Sequence, residues 1–435
     1  MHVVALSVAA LVLAGCTSWF GADDDPPLPG ERVSILALEE RLVPADDTDD
    51  PVVLTEPVAA AWPQQDANAD NRPPHAAYSG ALAVTWNVNV GSAETRTSRV
   101  LGQPVVGDGR LYFLDADGRV FALALENRRT VWTRSVRPQG EDDGRGVGGG
   151  VALDSDTLFV TTAYGDVLAL DAATGDVRWR RGYGIPFRAA PTVQGARVYA
   201  GLLTDQTVAL QRADGSEIWL HDGAFKQGPS LLNALPAAAN DDVVIAPYST
   251  GEIVALRADN GREAWRVPLV EAFQGAVQIE IEDVAGGPVI DAGSVIAGGA
   301  TGLLGSFDLQ TGALQWRVPL SVAHTPRVTG EWLYALTTDG EAVCLRRSTG
   351  NARWRTNLAD VLGVDDDDNE LSWSGLIVAG GTVIVAGSQR LVSLDPSDGS
   401  VVHTAALQGN PASAPIAAGG TLYVLTREGA IVALN

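Results

Sequence analysis

Cysteine is nearly absent from this chain: Cys16 and Cys344 are the only two in 435 residues. At most one disulfide can form, so the fold rests on packing and not on a covalent framework. Long apolar runs are equally scarce. The longest, Val3 to Leu13, has the length of a signal-peptide core and falls short of the roughly 20 residues that cross a bilayer. Basic residues are outnumbered, 30 Lys and Arg against 53 Asp and Glu, and the formal net charge of -23 repels phosphate-rich partners. Nucleic acid is not an expected partner. Motifs of local chemistry are missing too: there is no Gly-x-Ser-x-Gly elbow and no phosphate loop, and His75, His221, His324 and His403 are scattered without metal-ligand spacing.

What is present is globular and rich in turns. A hydrophobic share of 46% and a charged share of 19% exclude a wholly disordered chain, and 48 Gly against a single Met lean toward an all-β fold. The apolar run ends Leu13-Ala14-Gly15-Cys16, which resembles the lipobox of bacterial lipoproteins. That resemblance implies lipid on Cys16, and Thr17 after it implies delivery to the outer membrane. From Thr17 to about His75 the chain is rich in Asp, Pro and Ala, a composition that reads as an extended tether with one apolar patch around Leu36. Three segments are expected: a signal peptide at 1–15, a lipidated tether at 16–75, and a folded domain at 76–435.

A repeat defines that domain. The copy Ala169-Leu170-Asp171-Ala172-Ala173-Thr174-Gly175-Asp176-Val177-Arg178-Trp179 recurs in versions ending at Trp219, Trp265, Trp316 and Trp354, with Gly215, Gly261, Gly312 and Gly350 four residues before each. A shortened copy ends at Trp132, Trp86 opens the series, and His403 takes the tryptophan position in a degenerate copy. Spacings of 38 to 51 residues, with four short alternating runs in each, are those of a β-propeller blade. Each tryptophan is expected to wedge flat between neighbouring sheets. Eight blades follow. The chain stops at Ala430 to Leu434, the third strand of a blade, and the strand around Trp86 is the free segment that completes it, removing two exposed edges.

These residues carry a family resemblance. The Ala-x-Asp-x-x-Thr-Gly-x-x-x-Trp repeat resembles that of quinoprotein-type propellers, a superfamily of enzymes and scaffolds. Together with the lipobox, the Pro-rich tether, Trp62-Pro63-Gln64 and eight blades with nothing appended, it is similar to the BamB family of the outer-membrane β-barrel assembly machinery. The resemblance implies a non-catalytic scaffold without cofactor or metal, held by lipid on the periplasmic face of the outer membrane and bound to the periplasmic domains of BamA. It also places the partner surface on two inter-blade segments, one holding Leu231, Leu232 and Asn233 and the next Glu282 and Asp283. The match is partial, since no Arg stands beside the leucines and Ala285 replaces a second acid. Leucines folded under their own loop are the plain alternative.

The same blades admit other readings: a pyrroloquinoline quinone dehydrogenase, or a sensor or carbohydrate-binding propeller. By resemblance such dehydrogenases carry adjacent cysteines and an acidic calcium site, and no adjacent cysteines occur here. Cys344 stands where Ala169, Ala209 and Ala255 stand in sister repeats, so it reads as a small buried strand residue. The run Asp365 to Asp368 lacks the alternating spacing and turn glycine of a cation loop and reads as a solvated connection. Gly144-x-Gly146-x-x-Gly149 matches the dinucleotide fingerprint only formally, because it leads into Val151-Ala152-Leu153, a strand and not a helix.

Overall fold

The computed structural model describes Leu42, Pro44 and residues 51–99, 102–138, 140, 146–224, 235–269, 284–300, 302–363 and 371–435. Cys16, Leu231, Leu232, Asn233, Glu282, Asp283 and the acidic run 365–368 lie outside them. The described residues form eight four-stranded antiparallel sheets. This is the eight-bladed propeller that the repeat predicts.

Blade 2 shows why the sequence folds so. Its strands are Gly149–Asp154, Thr157–Thr162, Asp166–Asp171 and Val177–Gly182, in that order from the axis outward. The third strand buries Val167, Leu168, Ala169 and Leu170 consecutively, because neighbouring blades cover both of its faces. The fourth is mostly exposed except at its tryptophan. There the ladder slips by one residue between Ala169 and Leu170, a β-bulge that turns Trp179 toward the next blade. A cross-strand row Phe159–Ala169–Trp179 results, with the two rings 5.9 Å apart. Equivalent rows are Tyr112–Ala122–Trp132, Tyr199–Ala209–Trp219 and Tyr334–Cys344–Trp354. The middle place must be small, since rings lie on either side of it.

Each tryptophan then docks on the following blade. Trp219 is 7% exposed, donates its indole N–H to the carbonyl of Ala258 at 3.0 Å, and lies on the turn at Gly261. That glycine has φ of 69°, and a Cβ there would stand 2.6 Å from the indole, so both conformation and space demand glycine. Six joints repeat this arrangement: Trp132, Trp179, Trp219, Trp265, Trp316 and Trp354 each donate to a turn carbonyl and lie on a glycine with positive φ. Blades 7 and 8 depart from it. His403 pairs with Ser393 at the tryptophan register and is exposed, and Trp86 has the guanidinium of Arg128 5.9 Å over its ring where the others have glycine.

Both ends of the domain build the eighth blade. Val84–Asn89 pairs antiparallel with Ala430–Leu434, outside Thr421–Leu425 and Ile416–Ala418. The segment before it does more than lead into it. Residues 55–78, most of them within the stretch whose composition reads as a tether, wind round the axis and touch every blade. Innermost strands are sheet edges, and their unpaired N–H and C=O groups need partners. Trp62 exchanges two backbone hydrogen bonds with Val106 of blade 1, and the carbonyl of Pro63 accepts from Leu153 of blade 2. Gln64 imitates a strand with its side chain, accepting from and donating to Val193 of blade 3 at 2.8 and 3.0 Å. Carbonyls of Ala69 and Asp70 accept from Ala239 and Ile290 of blades 4 and 5. Thr55 meets Thr329 of blade 6, Ala76 bonds Val378 and Gly380 of blade 7, and the carbonyl of Ala60 accepts from Gly419 of blade 8. We call this segment the strap.

Candidate functional site

The strap lies toward the far ends of the inner strands, and a cavity of about 190 Å³ lies over it at their near ends. Trp373 and Ser374 begin an inner strand and line the cavity, whereas Val378, near its end, bonds the strap. Arg327 lines it likewise, from a strand whose last residue, Thr329, meets Thr55. The strap itself supplies part of the wall, through Gln65 and Asp66.

A buried polar network holds this centre. Asp66 and Arg327, each 3% exposed at the side chain, pair at 2.6 Å. Gln103 ties them to blade 1: its carbonyl oxygen accepts from the Asp66 backbone N–H at 2.9 Å and from the Trp62 indole at 3.2 Å. The Nε of Arg327 donates to the carbonyl of Leu376. Next to them His324 is half-buried and donates from Nε2 to the carbonyl of Trp373, if the neutral ring carries its proton there. Loss of solvation, reinforced by nearby Arg327, pulls its pKa down to about 4, so the ring is neutral at ordinary pH. A second strap pair stands one blade away, where Arg72 meets the buried carboxylate of Asp291 at 3.0 Å, and Arg347 approaches its other oxygen at 2.7 Å.

Sequence reasoning did not single out Asp66, Gln103 or Arg327. A signal for Arg327 exists in the repeat. Six of the eight inner strands have a proline in them or just before them, and the residues after Pro104, Pro191, Pro236, Pro288 and Pro415 are Val105, Thr192, Ala237, Val289 and Ile416. Only after Pro326 is that residue charged. Cys344 stands as expected in the alanine place of its row, fully buried, with burial pushing its thiol up to about 12 and so leaving it unreactive. Gly149 of the formal dinucleotide match opens a strand, not a helix.

The described residues that line the cavity assemble no metal site. The cavity's deepest cation, Arg327, is already paired to the strap's own carboxylate, and among the described residues no three His, Cys, Asp or Glu side chains come together to hold an ion. What fold and axis define together is an eight-bladed propeller of quinoprotein type, closed along its axis by its own chain. A family model described as "Outer membrane protein assembly factor BamB" matches residues 116–356 and 359–435. The chain belongs to that family. The assembly factor BamB of Burkholderia pseudomallei is 25% identical over 357 residues, 80% of this chain and 86% of that protein. An uncharacterised protein of Rickettsia prowazekii is 20% identical over 60% of this chain, and the match spans 63% of that relative's length. Among solved structures, BamB from Moraxella catarrhalis superposes with a TM-score of 0.66 at 19% identity, over 80% of this chain and 99% of that one. A europium-containing methanol dehydrogenase reaches the same 0.66 at 15% identity, over 84% and 89%. At such identities the last two speak for the fold alone.

Proposed function

We propose that this chain is a non-catalytic assembly factor of the outer membrane, held by lipid on Cys16 at the periplasmic face, which binds the periplasmic domains of BamA and aids insertion of outer-membrane proteins. The observation that carries this reading is the family match, which runs through the propeller from the first blade to the last strand. The axial chemistry supports it, because the buried Arg327 on the axis is paired with a carboxylate of the chain's own strap. Leu231, Leu232 and Asn233, with Glu282 and Asp283, are the proposed partner surface. In chain order the first segment precedes the strands of blade 4 and the second follows them. An apolar cluster beside carboxylates is the usual make-up of an interface hot spot.

Purification of the lipidated chain from membranes tests the reading. Recovery with a large β-barrel protein supports it, and quinone-dependent dye reduction by a chain that recovers no such partner overturns it. The surface has its own test: Leu231→Ala with Asp283→Arg is expected to weaken co-purification roughly tenfold or more while the melting temperature stays within a few degrees. Undiminished recovery moves the interface elsewhere on the ring.

A further inference from the structure

Arg327 is out of character with its position. The five counterparts after proline are uncharged, so the inner wall does not need a guanidinium there to fold. Burying one is costly unless an anion answers it. The anion comes from the strap: Asp66 Oδ1 lies 2.6 Å from Nη2, and the Gln103 amide also reaches that oxygen, at 3.4 Å. Asp66 is fixed in place, with φ of 55°, a conformation that Asp tolerates better than most residues. The other arm of the fork, Nη1, is buried and has no partner among the described residues, although Arg327 borders a cavity of about 190 Å³. A planar guanidinium binds a carboxylate best with two parallel arms, and here only one is engaged.

We propose that the axis of this ring is a carboxylate-binding site whose resident ligand is Asp66 of the chain's own strap. Docking of the strap and filling of the site are then one event. The ring carries an intramolecular anion where it would otherwise present an unanswered cation to the cavity. The chemistry recognised is a single carboxylate beside a buried guanidinium, and a free monocarboxylate enters when Asp66 no longer provides it. This site is independent of the proposed partner segments and stands or falls without them.

The test uses the purified full-length chain and Asp66→Ala. The variant is expected to melt about 5 °C lower, as loss of one partner of a buried pair leaves the other charge uncompensated. Formate at about 50 mM is expected to restore at least half of that loss in a saturable manner, while chloride of equal ionic strength does not. Wild-type protein should respond alike to both salts, and Asp66→Ala with Arg327→Met should lose the formate response. A variant as stable as wild type overturns the proposal, as does one on which formate and chloride act alike. If Asp66→Ala fails to fold, Asp66→Asn, Arg327→Met and their combination carry the test: the double variant must be more stable than the weaker single, and the reverse order overturns it.

Discussion

Along the circumference of the ring, one joint is used six times; along its axis, each blade is held differently. At the circumference an indole N–H reaches the next blade's turn carbonyl at 2.8 to 3.1 Å in all six cases, always over a glycine. At the axis the strap meets one blade through a backbone pair, another through the side chain of Gln64, and a third through Asp66 and Arg327. Equal joints divide the load among themselves, so each is individually dispensable to a degree. A strap with unlike contacts has no spare copy. Substitutions along the axis should therefore spread through the whole ring, and those at the circumference should stay local.

The largest effect is expected where the two regions meet. Deleting residues 83–90 removes the outer strand of blade 8 and exposes the edge at Ala430–Leu434, costing several kcal/mol of a typical total of about 5 to 15. Thermal unfolding and light scattering check this, with aggregation as the expected companion. Next comes Trp62→Ala in the strap, at about 3 to 5 kcal/mol, because Trp62 is 1% exposed in a cluster shared with Phe113, Ile377 and Leu434 of three blades. Denaturant unfolding should show it as a single shifted transition.

Acid separates the regions in another way. His324 is held neutral in the folded ring down to about pH 4, whereas an unfolded histidine takes its proton near 6.5. Below pH 6.5 the unfolded chain thus gains a proton that the folded one refuses, and stability falls as pH drops toward 4, by at most about 3 kcal/mol. Comparing urea midpoints at pH 7 and pH 4.5 should show a smaller drop for His324→Gln than for wild type. The circumference gives the smallest effects. Gly261→Ala forces a Cβ against Trp219 and is expected to cost about 1 to 3 kcal/mol, with hydrogen exchange accelerated in blades 3 and 4 only.

The same contrast governs what a sequence reader sees. The tryptophans, their glycines and the small residue between the rings recur because their surroundings recur, so fold, blade number and the burial of Cys344 were all legible. The strap has no period. It gives one or two residues to each blade, with Trp62, Ala76 and Tyr78 spread among Asp, Asn, Gln and Pro, and such a stretch has the composition of a linker however deeply it is buried. Trp62-Pro63-Gln64 was noticeable in advance only as a family feature; its task of joining blades 1, 2 and 3 depends on contacts more than 40 residues away in sequence. Asp66 and Arg327 were hidden for the same reason, standing 261 positions apart in the sequence.

Amide hydrogen exchange on the full chain tests most directly whether the strap belongs to the fold. The backbone N–H groups of Trp62 and Ala76, and those of Ala239 and Ile290 that they and their neighbours help to enclose, are bonded across the strap boundary. The account predicts that they exchange only with global unfolding, as slowly as the third-strand amides of Val167 to Leu170. Exchange at Trp62 and Ala76 about a hundredfold or more faster than in those strands would contradict it, and would make the strap a tether resting on a ring that stands without it.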